Sequence, residues 1–341
     1  MKRLALYFIG PRQVAVREEP LPELGPGQVL VKTTLSAISP GTELLVYRQQ
    51  VPADQPIDES IAALPGTFSF PLKYGYSVVG HVVATGSQVD ASWQGRMVYA
   101  FHPHESLFVA SPDELMLVPD NVPAEEALFL ANMETAVNFL MDGQPLLGEQ
   151  VVVFGQGIVG LLTTALLAQF PLASLVTLDR YPMRRRASQQ LGAHDSLDPE
   201  AEAALERVRS LLQGTRPYPG ADLTYELSGS LSALSQAIAV TGFDGRIVIG
   251  SWYGQKRADL DLGGRFHRSR IRLIASQVST LSPGLSGRWT KARRFQAAWQ
   301  MLGKVKPSRL ISRRFPIAEA TKAYRLLDES PDEVIQVILT Y

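Results

Sequence analysis

A glycine-rich turn at residues 155–160 constrains this chain more than any other segment. It reads GQGIVG and stands between the apolar run EQVVVF and the apolar run LLTTALL. The first glycine permits a tight turn, the second lets a phosphate approach the backbone, and the third lets helix and strand pack closely. The spacing therefore predicts a strand–turn–helix unit that binds the phosphates of a dinucleotide at the helix N-terminus. The predicted contacts are Gly155, Gln156, Gly157, Ile158, Val159 and Gly160.

An acidic residue ends the next apolar strand, Ser174–Leu178. Asp179 follows Gly160 by nineteen residues, the position from which a carboxylate accepts hydrogen bonds from the adenosine ribose. The alternative is an incidental aspartate after a purely structural glycine turn. The carboxylate would repel a 2′-phosphate, which favours NAD over NADP. Arg180 keeps NADP open, because an arginine at this place could stack on adenine or bind that phosphate.

The pattern of the chain changes near residue 123. Before it, short β-branched runs are broken by proline and glycine, which predicts an antiparallel, barrel-like β domain at residues 1–122. After it, strand and helix patterns alternate, which predicts an α/β domain with a doubly wound parallel sheet at residues 123–290. Residues 291–341 add a helix and a last strand. Residues 49–70 are interpreted as a long surface excursion, or a lid over a site.

Composition excludes several classes of protein. The 341 residues include no cysteine, which excludes disulfides, thiolate nucleophiles and zinc sites built on cysteine. Basic and acidic residues number 33 each, so the overall charge does not favour nucleic acid or acidic lipid as a partner. No apolar run is long enough to span a bilayer, and the short run LALYFIG near the start is interpreted as a strand rather than a signal peptide. A cytoplasmic protein without membrane or nucleic-acid partners is expected.

Positive charge is concentrated late in the chain. Residues 265–314 hold thirteen lysines and arginines and no acidic residue. For most of these, including Arg294 of the predicted helix Arg288–Leu302, a solvent-exposed face is the simple interpretation. The alternative is that a few of them bind an anionic group of a small-molecule substrate. The candidates are His267, Arg268 and Arg288.

Together these features resemble the medium-chain dehydrogenase/reductase superfamily over essentially the whole chain. The resemblance depends on five motifs, which are LGPGQVLV at 24–31, AISPGTE at 37–43, GYSVVG at 75–80, GQGIVG at 155–160 and YELSG at 225–229. The second and third motifs resemble the branch that contains the bacteriochlorophyllide 3-hydroxyethyl dehydrogenases. The resemblance implies a GroES-like β-barrel catalytic domain and a Rossmann domain. It also implies that residues 291–341 return to the first domain.

The resemblance also implies which residues surround the cofactor and how chains assemble. Trp252 and Tyr253 would stack on cofactor or substrate, and the backbone near Ser276 would bind the nicotinamide carboxamide. The superfamily commonly dimerises through the edge strand of the Rossmann sheet, so a homodimer is expected. The implied cofactor contacts beyond the glycine turn and Asp179 are Arg180, Ser228, Gly250, Ser251, Trp252 and Ser276, and Tyr253 is an implied substrate contact.

The chain departs from the superfamily at the catalytic zinc. The cysteine ligand falls at Ser39 or Pro40, the histidine at Tyr76 and the following acid at Ser77. The four-cysteine structural zinc lobe expected near residues 93–111 is missing from the sequence. Hydroxyl groups are poor zinc ligands at neutral pH. The resemblance therefore implies that the zinc is gone, and that a side chain must move the substrate's hydroxyl proton instead.

Several side chains are candidates for that proton transfer. Tyr76 would face the reacting carbon, with simple ring packing as the alternative. Thr42 matches the hydroxyl that begins the superfamily's proton relay, with a local turn bond as the alternative. Glu134 is a candidate base or former ligand position, although capping or packing is favoured. Ser39 completes the catalytic candidates together with a histidine, His102.

Two histidines offer a metal-binding alternative. His102 and His104, with Glu105, could bind zinc if Glu43 or Glu134 also approached. Such histidine pairs on loops usually bind no metal, so a site without metal is preferred. Without metal, either histidine could shuttle a proton. Glu43 is otherwise expected to be a buried hydrogen-bonding residue.

The preferred interpretation is a zinc-independent oxidoreductase that transfers a hydride between NAD(H) and a secondary alcohol or its ketone. The substrate would be polar or anionic. One alternative is an NADPH-dependent enone or quinone reductase, which Asp179 disfavours. The other alternative is a dinucleotide-binding protein that has lost its chemistry together with its zinc.

Overall fold

A computed structural model describes residues 2–212 and 219–341. These residues divide into two compact units. The first comprises the described residues up to Ala131 together with Lys306–Tyr341, and the second comprises those within Asn132–Val305. Relative to the predicted boundaries at 122 and 290, residues 123–131 fall in the first unit and residues 291–305 in the second.

Strands and helices are labelled in chain order. The strands are β1 (Lys2–Gly10), β2 (Gln13–Pro20), β3 (Val29–Ala37), β4 (Val78–Thr85), β5 (Met97–Ala100), β6 (Leu107–Ala110), β7 (Leu115–Leu117), β8 (Gln150–Phe154), β9 (Ser174–Leu178), β10 (Asp195–Leu197), β11 (Ala221–Glu226), β12 (Thr241–Ile249), β13 (Arg272–Ala275), β14 (Ile311–Pro316) and β15 (Gln336–Thr340). The helices are α1 (Pro40–Tyr47), α2 (Ala124–Ala127), α3 (Leu130–Gly143), α4 (Ile158–Leu167), α5 (Pro182–Gln190), α6 (Ala204–Leu211), α7 (Leu231–Val240), α8 (Lys291–Val305) and α9 (Ala320–Glu329).

The first unit is built around a mixed sheet with the order β14-β15-β3-β4-β5-β7, and β6 also pairs with β3. All of its pairings are antiparallel except that between β14 and β15. Strands β1 and β2 form a separate antiparallel ribbon. Valines and a phenylalanine that recur on one face of the strands form one core, Val29, Val31, Val78, Val98 and Phe108 among them. The predicted β domain is thus confirmed, with one parallel pair added by the C-terminal segment.

The excursion at residues 49–70 is packed against the first unit. Val51, Ile57, Leu64 and Phe68 are buried in a second core that also contains Tyr324 of α9. Apolar side chains at four points along the segment remove it from water and hold it in place. The excursion is therefore anchored to the first unit by its buried apolar side chains.

The second unit contains a sheet with the order β10-β9-β8-β11-β12-β13, and every pairing in it is parallel. All five residues of β8 are buried, as expected for a strand covered on both faces. This order is that of a doubly wound dinucleotide-binding fold, with β8 at the point where the order reverses. The sequence prediction of a parallel doubly wound sheet is confirmed.

Helix boundaries show where the sequence patterns were insufficient. The helical pattern after residue 123 is interrupted between α2 and α3. Helix α6 begins at Ala204, directly after Ala203 in the left-handed region at φ 57°. Helix α1 was not predicted at all. Across the described residues, none of the helices has the length and apolar character that crossing a membrane requires.

Candidate active site

The glycine turn after β8 leaves open space at Gly157 and is closely packed at Gly155 and Gly160. A Cβ at Gly155, where φ is 89°, would lie 2.6 Å from the Ser228 backbone, and one at Gly160 would lie 2.0 Å from the Gly155 carbonyl oxygen. A Cβ at Gly157 would meet nothing within 4 Å. Gly157 is also the N-cap of α4 and brings no side chain to the helix terminus. This open helix N-terminus fits a phosphate group, so the residues present fit a dinucleotide.

Gln156 acts inside the turn. Its side chain is buried, donates to the Gly155 carbonyl at 3.0 Å and accepts from the Thr164 hydroxyl at 2.9 Å. Its backbone N–H donates to the Asp179 carboxylate at 2.8 Å. The predicted contact of Gln156 with the cofactor is therefore limited to its backbone, and its side chain shapes the turn.

Asp179 is held at the end of β9 by the backbone. One carboxylate oxygen accepts from Gln156, as described, and the other accepts from the Tyr181 N–H at 2.8 Å. These bonds fix the carboxylate next to the glycine turn, where the sequence predicted a ribose contact. Arg180 and Arg184 lie against the Tyr181 ring, at 4.7 and 4.6 Å from its centroid. Arg180, the arginine that directly follows Asp179, is thus stacked on the Tyr181 ring.

A buried carboxylate that the sequence analysis did not single out organises the end of β11. Glu226 accepts from the Ser228 N–H at 2.8 Å, from the Ser228 hydroxyl and from the Tyr253 hydroxyl at 2.5 Å. Burial, reinforced by the negative charge of Glu226, raises the pKa of Tyr253. The predicted contacts Ser228 and Tyr253 are therefore brought together by one acid. Its position at the end of an apolar strand, within the YELSG motif, was the available signal.

The ends of β12 and β13 hold the other predicted cofactor contacts. A Cβ at Gly250 would lie 2.3 Å from the Phe139 ring, so only glycine fits there. The Ser251 hydroxyl accepts from the Gly229 N–H at 2.8 Å, and Trp252 is 37% exposed. The Ser276 hydroxyl donates to Asp142 at 2.6 Å.

Glu134 forms a buried ion pair with Arg294. Its Oε1 accepts from Arg294 Nε at 3.0 Å and from Nη2 at 2.7 Å, and both residues lie in the second unit. Burial raises the pKa of Glu134, and the Arg294 charge opposes that shift. Glu134 lies in the interior of α3, so it is not a cap. The packing alternative is supported, and the interpretation of Arg294 as solvent-exposed was wrong because the side chain is fully buried.

Three hydroxyl groups meet in the first unit, two of them at positions that the resemblance assigns to zinc ligands. The Tyr76 hydroxyl donates to Ser39 Oγ at 2.5 Å and lies 3.3 Å from Thr42 Oγ1. Burial raises the pKa of Tyr76, and the bonds to Ser39 and Thr42 reduce that shift. Ser77 is turned away and donates to the Leu128 carbonyl at 2.6 Å. The chemistry of this cluster is that of a hydroxyl relay, and it does not fit zinc, which prefers nitrogen, thiolate and carboxylate ligands.

Glu43 anchors this hydroxyl cluster from beneath, as the sequence predicted. It is fully buried, and its Oε1 accepts from the Ser39 N–H at 2.7 Å. Its Oε2 accepts from Tyr324 and contacts His104 Nε2 at 3.1 Å. His104 Nδ1 in turn lies 2.7 Å from the Ser36 hydroxyl. Glu43 and His104 thus support Ser39 and do not face solvent.

His102 has different surroundings from His104. Its ring stacks on Phe108 with centroids 3.9 Å apart, and its Nδ1 donates to the Pro103 carbonyl at 3.2 Å. Burial lowers the pKa of His102 to about 3. A neutral, stacked imidazole of this kind does not support the predicted proton shuttle. Within residues 2–212 and 219–341, there is also no group of three or more histidine or acidic side chains that could hold a metal ion.

The low pKa of His102 makes stability depend on pH. The unfolded chain binds a proton near pH 6.5 and the folded chain only near 3, so stability is lost as the pH falls below 6.5. Relative to His102→Phe, which keeps the stacking partner, the wild type should lose about 1.4 kcal/mol of unfolding free energy per pH unit. Urea unfolding at pH 7.5, 6.0 and 5.0 measures this difference. A difference that stays constant over the three values would show that His102 is protonated normally.

The three predicted anion contacts lie on the surface. His267, Arg268 and Arg288 are all exposed, as the simple interpretation of the basic segment expects. Arg293 stacks on the Trp289 ring with its guanidinium carbon 4.2 Å from the centroid. The structure thus leaves these side chains accessible, and it shows no shared contact among the three.

Comparisons with known proteins agree with this architecture. No protein-family model matches the chain. An uncharacterized zinc-type alcohol dehydrogenase-like protein of Escherichia coli is 24% identical over 350 residues, 95% of each chain. The L-threonine 3-dehydrogenase of Bacillus subtilis is 24% identical over 346 residues, 91% of this chain and 90% of the relative.

A solved structure shares the fold over the full length. The alcohol dehydrogenase rspB of Escherichia coli, described as short-chain and complexed with NADH, superposes with a TM-score of 0.79 at 18% identity. The match covers 100% of this chain and 99% of that one. The fold of GroES-like and Rossmann domains is therefore shared. Over most of its length the chain is thus similar to a zinc-type alcohol dehydrogenase-like protein and to an L-threonine 3-dehydrogenase, and it shares the fold of a solved alcohol dehydrogenase.

Proposed function

We propose that this protein is a nicotinamide-dependent oxidoreductase that interconverts a secondary alcohol and its ketone without zinc. The observation that carries the proposal is the hydroxyl cluster of Tyr76, Ser39 and Thr42. The resemblance places zinc ligands at Tyr76 and at Ser39 or Pro40, and the relay hydroxyl at Thr42. The glycine turn and Asp179 supply a dinucleotide site that fits NAD(H). Relatives named L-threonine 3-dehydrogenase and D-guloside 3-dehydrogenase support an alcohol as the substrate.

The bound cofactor would accept or supply the hydride, and the residues of this chain would manage the proton. Tyr76 is partly exposed, and its phenol is protonated at neutral pH because burial raises a pKa that is ordinarily already near 10. It can therefore donate its proton to a ketone oxygen during reduction. Thr42 is also partly exposed and adjoins the same hydroxyl, so it can pass a proton to Tyr76 while it takes one from solvent water. Glu43 holds the Ser39 backbone and so keeps this cluster in place.

NAD(H) is the proposed cofactor because both oxygens of Asp179 are fixed by the backbone beside the glycine turn. A fixed carboxylate suits two ribose hydroxyls and repels a 2′-phosphate. The stacking of Arg180 on Tyr181 supports this preference, since the guanidinium already has an aromatic partner. A cytoplasmic location and a place near the bacteriochlorophyllide 3-hydroxyethyl dehydrogenase branch belong to the same proposal.

The test is turnover on a panel of secondary alcohols and ketones, polar and anionic compounds included. We expect oxidation with NAD⁺ or reduction with NADH, and we expect it to persist after dialysis against a chelator with zinc measured as absent. Activity that disappears with the chelator and returns with zinc would contradict the metal-free site. Reduction of enones or quinones by NADPH alone would favour the reductase alternative. Cofactor binding without turnover would favour the non-catalytic one.

A homodimer through the Rossmann edge strand is also proposed. Strand β13 is the end of the parallel sheet, and Leu273 on it is 36% exposed. An exposed apolar residue on an unpaired strand edge favours pairing with a second strand. Light scattering of the wild type should give the mass of two chains, and Leu273→Asp should reduce it to one. A wild-type monomer would contradict this proposal.

A further inference from the structure

Arg294 is a fully buried arginine whose hydrogen bonds are complete. The side chain belongs to α8 and is 0% exposed. All five of its N–H donors have acceptors. These are Glu134 Oε1 twice at 3.0 and 2.7 Å, Asn138 Oδ1 at 2.6 Å, the Thr280 carbonyl at 3.1 Å and the Val278 carbonyl. A buried arginine with every donor satisfied is held in one orientation.

Stability alone does not account for such a residue. Desolvating an ion pair costs several kcal/mol, and apolar residues of similar volume often serve a core as well or better. What a buried pair of this kind adds is a fixed geometry between the segments that it joins. Here it joins α3, through Glu134 and Asn138, to the backbone of the segment that follows β13.

That segment is held at three alternate residues. Arg294 binds the carbonyl groups of Val278 and Thr280, while Asn138 Nδ2 donates to the Ser276 hydroxyl at 3.0 Å. The Ser276 N–H also donates to the Ile249 carbonyl at the end of β12. The backbone at 276–280 is therefore fixed by a polar clamp, which consists of Glu134, Asn138 and Arg294.

The sheet order gives this clamp a position relative to a dinucleotide. Asp179 follows β9, the glycine turn follows β8, and the neighbouring strands beyond β8 are β11, β12 and β13 in that order. Ligands of such sheets bind outside the carboxyl ends of the strands. A dinucleotide with its adenosine ribose at β9 and its phosphates at β8 extends its other half toward β11–β13. The clamped segment begins at the carboxyl end of β13.

We propose that Arg294 is a positioning residue that fixes residues 276–280 for the nicotinamide half of the cofactor, with Glu134 as its counter-charge. The inference rests on the proposed function, because it requires a dinucleotide at this sheet. In it, Glu134 takes no part in proton transfer. The segment 276–280 offers backbone groups to the nicotinamide carboxamide, and the clamp keeps those groups in place before the cofactor binds.

The test compares NADH with ADP-ribose, which lacks the nicotinamide ring. The wild type should bind NADH more tightly than ADP-ribose. In Arg294→Gln the NADH affinity should fall about 10-fold or more, the ADP-ribose affinity should change by less than about 2-fold, and the difference between the two ligands should disappear. If Arg294 had only a structural role, the substitution would lower the affinities for NADH and for ADP-ribose equally.

Arg246→Gln is the matched control. Arg246 is partly buried and pairs with Glu149 at 2.7 Å. This pair lies at the opposite end of the sheet, where the parallel strands begin. The Arg246→Gln variant should therefore keep the wild-type difference between the affinities for NADH and for ADP-ribose. If Arg294→Gln does not fold, Asn138→Ala removes the bonds to Ser276 and to Arg294 Nη1, keeps the ion pair of Arg294 with Glu134, and should reduce the same difference.

Two results would overturn the inference. One is an Arg294→Gln or Asn138→Ala variant that keeps the wild-type difference between the two ligands. The other is a wild type that binds NADH and ADP-ribose equally, since no nicotinamide subsite would then exist. Failure of the wild type to bind either ligand would instead contradict the proposed function itself.

Discussion

Replacing Tyr76 by phenylalanine should lower kcat/KM for ketone reduction by about 100- to 10,000-fold, the contribution typical of a general acid. The substitution removes one hydroxyl and keeps the ring, so the packing of Tyr76 against Tyr74 should persist. Affinity for NADH should remain within about 2-fold of the wild type, because the substitution changes none of the residues proposed to bind NADH. Steady-state kinetics and a fluorescence titration with NADH measure the two effects.

Tyr74→Phe is the control for this experiment. Tyr74 is a buried tyrosine two residues away that forms part of the core with Phe68. The Tyr74→Phe variant should keep kcat/KM within about 3-fold of the wild type, because the lost hydroxyl takes no part in the reaction. Equal losses in the two variants would mean that Tyr76 acts through packing. If the kcat/KM of Tyr76→Phe equalled that of the wild type, another group would have to transfer the proton.

Replacing Asp179 by asparagine should reverse the cofactor preference. The amide keeps one acceptor oxygen, which can serve only one of the backbone N–H groups of Gln156 and Tyr181, and it removes the negative charge. Affinity for NADH should fall about 10- to 150-fold, the range for losing a hydrogen bond to a charged group. Affinity for NADPH should rise, because the repulsion of the 2′-phosphate is removed and Arg180 and Arg184 lie beside it. Competition titrations with the two reduced cofactors measure the ratio.

Asp198→Asn serves as the matched control for the cofactor experiment. Asp198 is a second aspartate near the same helix, and it pairs with Arg185 at 3.1 Å. Its side chain is 33% exposed, so its loss should change neither affinity by more than about 2-fold. If Asp179→Asn left the ratio of NADH to NADPH affinity unchanged, Asp179 would have only the structural role of bracing the glycine turn.

Much of the fold follows from local patterns in the sequence. The apolar run before Gly155 predicted β8, and the glycine spacing predicted the start of α4, because both depend on backbone geometry that neighbouring residues determine. Strand Ser174–Leu178 agrees with the prediction residue for residue. Helix α1 was missed although Ser39, Pro40 and Glu43 form a recognisable helix start, with Pro40 in the first turn.

The candidate site was less predictable because its contacts join distant parts of the chain. Arg294 was assigned to an exposed helix face on spacing alone, and its burial depends on Glu134, 160 residues earlier. Glu43 was correctly expected to be buried, but its partner Tyr324 lies 281 residues away. A charged side chain is buried only where other groups satisfy its hydrogen bonds, and helical periodicity carries no information about those groups.

The central claim is tested most directly by titrating the purified wild-type protein with NADH and with NADPH, following energy transfer from tryptophan to the reduced nicotinamide. We predict saturable binding of NADH and markedly weaker binding of NADPH. Stronger binding of NADPH would make the arginines after Asp179 the phosphate site and would favour the enone reductase. Binding of neither cofactor would contradict the assignment of an oxidoreductase.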